Sequence, residues 1–195
     1  MAIVSGFAIA IIIVVVIIVV LLLVLIGMYN GLVKLRNAVE EAFSTMDVYM
    51  KKRFDLIPNL VETVKGYAAH EKETLDRVIQ ARNFAQGAAT PEARMQGENQ
   101  LSGALKSLFA VAEGYPQLRA NENFMDLQRQ LQRVEEDIAN SRKYYNGTVR
   151  TYNTKTEVFP NSLIASMFRF ERKPLYEVTD AAERENVKVS FQGNS

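Results

Sequence analysis

Few side chains in this sequence are of the kinds that perform chemistry, and their spacing limits what they can do. His70 is the one histidine, within Ala69-His70-Glu71-Lys72-Glu73. An imidazole beside two carboxylates offers metal ligands, but a stable site needs ligands converging from several elements. No second histidine exists to help, so His70 is read as a solvent-facing residue at a helix junction. Glu135-Glu136-Asp137 resembles a carboxylate cluster. Its neighbours Val134 and Ile138 mark a buried stripe, however, so the three acids are expected to face mainly water. Di-metal sites in helical bundles use Glu-x-x-His pairs, and none is present. The absence of cysteine excludes disulfides, thiolate metal sites, cysteine nucleophiles and lipobox-type lipid anchors. There is no nucleophile elbow, glycine-rich phosphate loop or dinucleotide fingerprint. The expectation is no catalytic residue, no cofactor and no metal, hence a protein that is not an enzyme.

Two groups of residues remain as candidate structural or partner positions. In Arg53-Phe54-Asp55-Leu56-Ile57-Pro58-Asn59-Leu60-Val61, a strong helical pattern, a proline and a charged pair share a turn and a half. Such conflict between local rules marks functional or strained sites. Arg53, Asp55, Pro58 and Asn59 are read as a hinge or partner contact, or as part of a curved helix whose freed carbonyl is hydrated. The second group is a recurring tyrosine–asparagine pair: Tyr29-Asn30, Tyr145-Asn146 and Tyr152-Asn153, the first two followed by glycine.

The elements that must position these residues follow from hydrophobic spacing. Leu32, Leu35, Val39, Ala42, Met46 and Tyr49, then Ile57, Leu60, Val64 and Tyr67, recur mostly at three and four residues, with Arg53 interrupting the stripe. A second helix is predicted from about Glu71 to Gln86, with Leu75, Val78, Ile79, Ala81 and Ala85 inward. Thr90 as N-cap and Pro91 at the first helical position open a third, which carries Leu101 to Tyr115 and ends at Gly114 and Pro116. Asn121 or Asn123 caps a fourth, with a repeat at Phe124, Leu127, Leu131, Val134, Ile138, Ser141, Tyr145, Thr148 and Tyr152. Phe159-Pro160 ends it. Four amphipathic helices with short loops predict an antiparallel, up-down-up-down four-helix bundle.

The bundle is preceded by a segment of different character. Every residue from Phe7 to Ile26 is apolar, and no charge occurs before Lys34. At ~1.5 Å per residue the uncharged helix from Ile3 to Gly27 reaches ~37 Å, enough to cross a ~30 Å hydrocarbon core. Phe7, Ile11, Val15, Val19, Leu23 and Ile26 represent this anchor. A cleaved signal peptide would have a basic start, a shorter apolar run and a small-x-small cleavage site, so an uncleaved anchor is expected. Gly6 and Ala10 form a small-xxx-small pair, which is weak evidence for helix association. The expected divisions are an anchor over 1–28, a helical bundle over 29–158, and a membrane-proximal segment with a loosely ordered tail over 159–195.

In this bundle the fourth helix returns toward the membrane. That places Tyr145 to Thr156 beside Tyr29 to Arg36, and two readings stay open: tyrosines at headgroup depth, or core residues of a tapering bundle. The stretch 161–173 is apolar-rich and ends in cations. It is either an interfacial amphipathic segment or a tail packed on the bundle base. With 23 basic against 22 acidic residues, the net charge of +1 argues against a nucleic-acid partner. Lys34 and Arg36 flank the anchor on one side only, which by the positive-inside rule puts the bundle in the cytoplasm.

The chain closely resembles the LemA family of bacterial membrane proteins. The resemblance rests on Tyr29-Asn30-Gly31-Leu32-Val33, on Arg53-x-Asp55-Leu56-Ile57-Pro58-Asn59-Leu60-Val61, on Tyr67 before His70-Glu71, on Tyr152-Asn153 before Phe159-Pro160, and on Phe168-Arg169-Phe170-x-x-Lys173-Pro174. It implies a single-pass anchor carrying an antiparallel helical bundle, in the bacterial inner membrane, and brings no catalytic residues. The family usually has a glycine where Arg169 stands. By analogy with envelope-associated members and a similar magnetosome protein, it implies envelope organisation. The expected function is a non-enzymatic, membrane-anchored scaffold or adaptor of the cell envelope. Its partners would be the lipid bilayer and other membrane or envelope proteins. The alternative is a self-assembling structural protein forming a homo-oligomeric ring or cage. An enzymatic role would need the cluster near Tyr145 and Asn153 to bind a small molecule.

Overall fold

A computed structural model describes residues 2–176. Six helices follow one another: α1 (Ala2–Lys65), α2 (Lys72–Gly87), α3 (Pro91–Ala112), α4 (Pro116–Arg119), α5 (Glu122–Glu157) and α6 (Asn161–Met167). Among the described residues there is no strand. The expected tail over 180–195, including the alternating Val187–Phe191, lies outside the described residues, as do the side chains of Gly6, Phe7 and Ala10.

The chain forms two compact units, one from Met1–Met46 with Ser141–Leu175, the other around Asp47–Asn140. Both α1 and α5 contribute to each. In the first unit α1 is exposed at every residue from Ile11 to Ile26, and it is the one described helix long and apolar enough to cross a membrane. Beyond that stretch the first buried residue is Leu32, followed by Val39, Ala42 and Met46. Tyr145, Val149 and Tyr152 of α5 and Ile164 and Ala165 of α6 are also buried. Val149, not the predicted Thr148, continues the buried stripe of α5.

In the second unit the buried positions of α1 are Met50, Arg53, Phe54, Ile57, Leu60, Val61 and Val64. Met50 rather than Tyr49 carries the stripe, so Arg53 falls on it. Pro58 lies inside α1, which stays helical through it. The predicted start of α3 is present: the Thr90 side chain accepts from the Ala93 N–H at 3.2 Å, with Pro91 first in the helix. Asn121 rather than Asn123 caps α5, its Oδ1 accepting from the Phe124 N–H at 3.0 Å. Ile79, expected inward on α2, is exposed. Its neighbours Leu75, Val78 and Ala85 hold the buried face. α2 and α3 meet closely at Gly97, where an added Cβ would stand 2.6 Å from Ala85 Cα. The one-turn α4 lies where a simple loop was expected and buries Leu118.

Candidate functional site

Arg53 and its surroundings come first, because a guanidinium on a buried stripe must find counter-charges. Arg53 is 1% exposed, and so is Glu98 of α3, with which its Nη2 pairs. Nη1 pairs with Glu135 of α5 and donates to Ser102 Oγ at 3.0 Å, while Nη2 also reaches the Glu98 carbonyl at 3.3 Å. Three helices of the second unit are thereby tied through one side chain. Glu135 is half-buried by this pairing, contrary to the expectation that it faces water, whereas Glu136 and Asp137 are exposed. Asp55 is not Arg53's partner. It is exposed, as are Pro58 and Asn59.

Pro58 has no N–H, so the Phe54 carbonyl four residues earlier loses its helical donor. Arg82 of α2 supplies the replacement: its Nε donates to the Phe54 carbonyl at 3.1 Å. The freed carbonyl is thus met by a cation from the neighbouring helix. Arg94, also of the second unit, lies over the Phe54 ring with its guanidinium carbon 5.7 Å from the centroid.

Between the end of α1 and the start of α2, Tyr115 Oη donates to Glu71 at 3.1 Å, and Asn121 Nδ2 donates to Tyr67 Oη at 3.0 Å. The Glu71 hydrogen bond, aided by burial and by the Glu71 charge, holds the Tyr115 hydroxyl above its ordinary pKa. His70 beside them is exposed. Among the described residues no three histidine, aspartate or glutamate side chains gather to hold a metal.

The first unit gathers the recurring tyrosine–asparagine positions around the chain that follows α6. Tyr152 Oη donates to the Glu171 carbonyl at 3.0 Å and Tyr145 Oη to the Pro174 carbonyl at 2.8 Å. Asn153 forms a two-bond ring with Lys173, its Nδ2 donating to the carbonyl and its Oδ1 accepting from the N–H, both at 2.9 Å. These α5 side chains thus form a clasp for residues 171–174. Burial raises the Tyr152 hydroxyl above its ordinary pKa; Arg36 pulls it down, and Glu171 and Glu40 push it up. Of the two readings left open for the tyrosines, Tyr145 and Tyr152 follow the core one. Tyr29 does not: it is partly exposed, with its ring 4.8 Å from Phe168 and 5.8 Å from Phe170. Asn30 and Phe159 are exposed, and Pro160 stands at the N-cap of α6 after a cis peptide.

Arg169, where the resembling family usually has glycine, takes a φ of 54°, the left-handed conformation that glycine adopts most readily. It closes α6 in a Schellman arrangement: the Phe170 N–H reaches the Ala165 carbonyl at 2.9 Å, and the Arg169 N–H reaches that of Ser166 at 3.4 Å. The accompanying apolar contact is Phe170 against the Ile164–Ala165 cluster.

The Arg53 cluster and the α5 clasp both fasten segments far apart in sequence, one through ion pairs and the other through main-chain hydrogen bonds. The profile of the LemA family matches residues 42–191, more than half of the chain. The chain belongs to the LemA family. The match contains Arg53, Pro58, Tyr145, Tyr152, Asn153 and Arg169, and begins after Tyr29–Val33. Protein LemA of Metamycoplasma hominis is 25% identical over 170 residues, covering 84% of this chain and 74% of that protein. Magnetosome protein MamQ 2 of Paramagnetospirillum magneticum is 23% identical over 185 residues, covering 82% and 68%. Magnetosome protein MamQ of Magnetospirillum gryphiswaldense is 22% identical over the same length and shares.

Proposed function

We propose that this LemA-family protein is a membrane-anchored helical scaffold or adaptor of the bacterial cell envelope, acting through protein–protein contacts rather than catalysis. The observation that carries this reading is the run of α1 in the first unit. One unbroken helix passes from a segment exposed and apolar on every side, Ile11–Ile26, to a buried stripe beginning at Leu32. Fully burying a large aliphatic side chain is worth about 1.5–3 kcal/mol, so sixteen in succession left in water would forgo tens of kcal/mol. A hydrocarbon core of ~30 Å accommodates such a segment.

The reading extends to a single pass through the inner membrane, with an antiparallel four-helix arrangement of the body held in the cytoplasm. The exposed cations Lys34 and Arg36 directly after the anchor support the side. The close α2–α3 approach at Gly97 and the three-helix tie at Arg53 support the arrangement. Two of the similar proteins are named as magnetosome proteins, and the organising role is proposed here by analogy with them.

Solubilising the full chain in mild detergent at native expression and recovering it through a tag tests the scaffold. A reproducible complex with other envelope proteins is expected, and a lone monomer contradicts it. A homogeneous large assembly of this chain alone would favour the ring or cage instead, and light scattering distinguishes the two. The side is read with one introduced cysteine, Glu136→Cys, at an exposed position of a chain without native thiols. Protection from a membrane-impermeant reagent in intact cells is expected.

A further inference from the structure

The first unit carries a second apolar surface besides the anchor, and it sits on α6. One side of this short helix, Ile164 and Ala165, is buried with Leu32, and Met28 and Phe170 pack against the same cluster. The other side is bare. Leu163 and Met167, one turn apart, are 61% and 70% exposed, and Phe159 just before the helix is 78% exposed. Scattered apolar residues on a surface need no explanation, but two large ones one turn apart on the bare side of a short helix, with a third exposed at its entrance, form a patch.

Its height along α1 identifies what the patch meets. The α6 cluster meets α1 at Met28 and Leu32, two and six residues beyond the last residue of the apolar run. At ~1.5 Å per residue that is ~3–9 Å past the end of the run. The headgroup layer on each side of the hydrocarbon core is of the same thickness, ~5–8 Å. Tyr29 pins the end of α6 at this level through Phe168 and Phe170, and tyrosine is enriched at such interfaces. Cations accompany the end of α6: Arg169 is exposed, and the Arg36 guanidinium lies 5.4 Å from the Phe170 centroid.

We propose that α6 is an interfacial foot, lying in the headgroup region of the bilayer that α1 crosses, with Phe159, Leu163 and Met167 in the acyl boundary. This rests on the anchor reading of α1. The foot gives the first unit two points of attachment to one membrane surface, and the bilayer is the one occupant that the anchor itself brings to this height. An amphipathic segment with an apolar face and flanking cations partitions to that depth, about 5–10 Å into the boundary.

The chain contains no tryptophan, so a single substitution gives one emitting site. The full chain is reconstituted into phosphatidylcholine vesicles brominated either near the headgroup or near the chain end, with iodide available on both sides. Val15→Trp reports on the anchor, Leu163→Trp and Met167→Trp on the foot, and Glu136→Trp on an exposed polar position. The expected result is several-fold stronger quenching of the two α6 tryptophans by the shallow bromolipid than of the Glu136 reference, together with shielding from iodide. Val15→Trp is quenched by the deep bromolipid. If Val15→Trp behaves so while the α6 tryptophans remain open to iodide, the foot is wrong and the anchor stands. If they are shielded from iodide and bromolipid alike, a protein or a second copy covers the face, and the foot is again wrong. If Val15→Trp escapes both bromolipids, the anchor fails and the foot with it.

Discussion

A guanidinium on the buried face of a helix is tolerable only while its counter-charges stay in place. Removing Arg53 leaves the Glu98 carboxylate buried at 1% exposure with no cation. Arg53→Met is therefore expected to destabilise the protein by about 3–5 kcal/mol, and Arg53→Met with Glu98→Leu to recover most of that, since a buried ion pair is often replaceable by apolar volume. Thermal unfolding of the full chain in mild detergent, followed by circular dichroism, measures both. A double variant as unstable as the single one contradicts the account. The same scale holds the bond from Arg82 to the Phe54 carbonyl. A hydrogen bond from a charged donor is worth about 1.5–3 kcal/mol, so Arg82→Met should lower stability by that order. In a Pro58→Ala background the new N–H can serve the Phe54 carbonyl, and the loss should shrink. A cycle without coupling would mean that Arg82 does not compensate for the proline. The sequence exposed the conflict at Pro58 and the charge on the stripe at Arg53. It could not reveal the partners, because Glu98 and Glu135 lie 45 and 82 residues away and enter only through tertiary packing. Asp55, two residues along, was the obvious local partner, yet that spacing points it away from Arg53 on a helix.

At the scale of elements, spacing carries further. The three–four repeat marks α1, α2, α3 and α5, and the Thr90-Pro91 and Asn121 caps mark where two of them start. The short α4 and α6 escape because one or two turns leave no periodicity to read. The exposure of Ile79 and the choice of Val149 over Thr148 depend on which neighbour fills the facing space. Gly97 is the clearest such dependence. In isolation alanine favours a helix over glycine by about 1 kcal/mol. Here the added Cβ would press on Ala85 Cα at 2.6 Å and on its N at 3.0 Å, with backbone that cannot turn aside. Gly97→Ala is therefore expected to destabilise by about 1–3 kcal/mol through forced separation of α2 and α3; an increase in melting temperature would refute that approach. Arg169 predicts the opposite sign. Its left-handed conformation costs a residue with a Cβ about 1–2 kcal/mol, so Arg169→Gly should stabilise the end of α6 by up to about 1 kcal/mol after glycine's own entropy. Slower proteolysis in the region of 168–174 would register the gain, and faster cleavage would speak against the Schellman closure.

For the whole molecule, membership of the LemA family and an all-helical structure leave the mode of action to be tested through the anchor. Everything proposed for function, including the scaffold role and the foot, depends on α1 holding the chain in a bilayer. Alkaline extraction of membranes addresses this directly, comparing the natural chain with Val15→Lys, Val19→Lys, in which two charges enter the apolar run. A lysine near the bilayer centre costs about 2.5–3.5 kcal/mol on insertion scales, so the pair removes much of the driving force. The natural chain is predicted to remain in the membrane pellet at full length while the double variant moves to the supernatant. Release of the full-length natural chain by alkali would contradict the account.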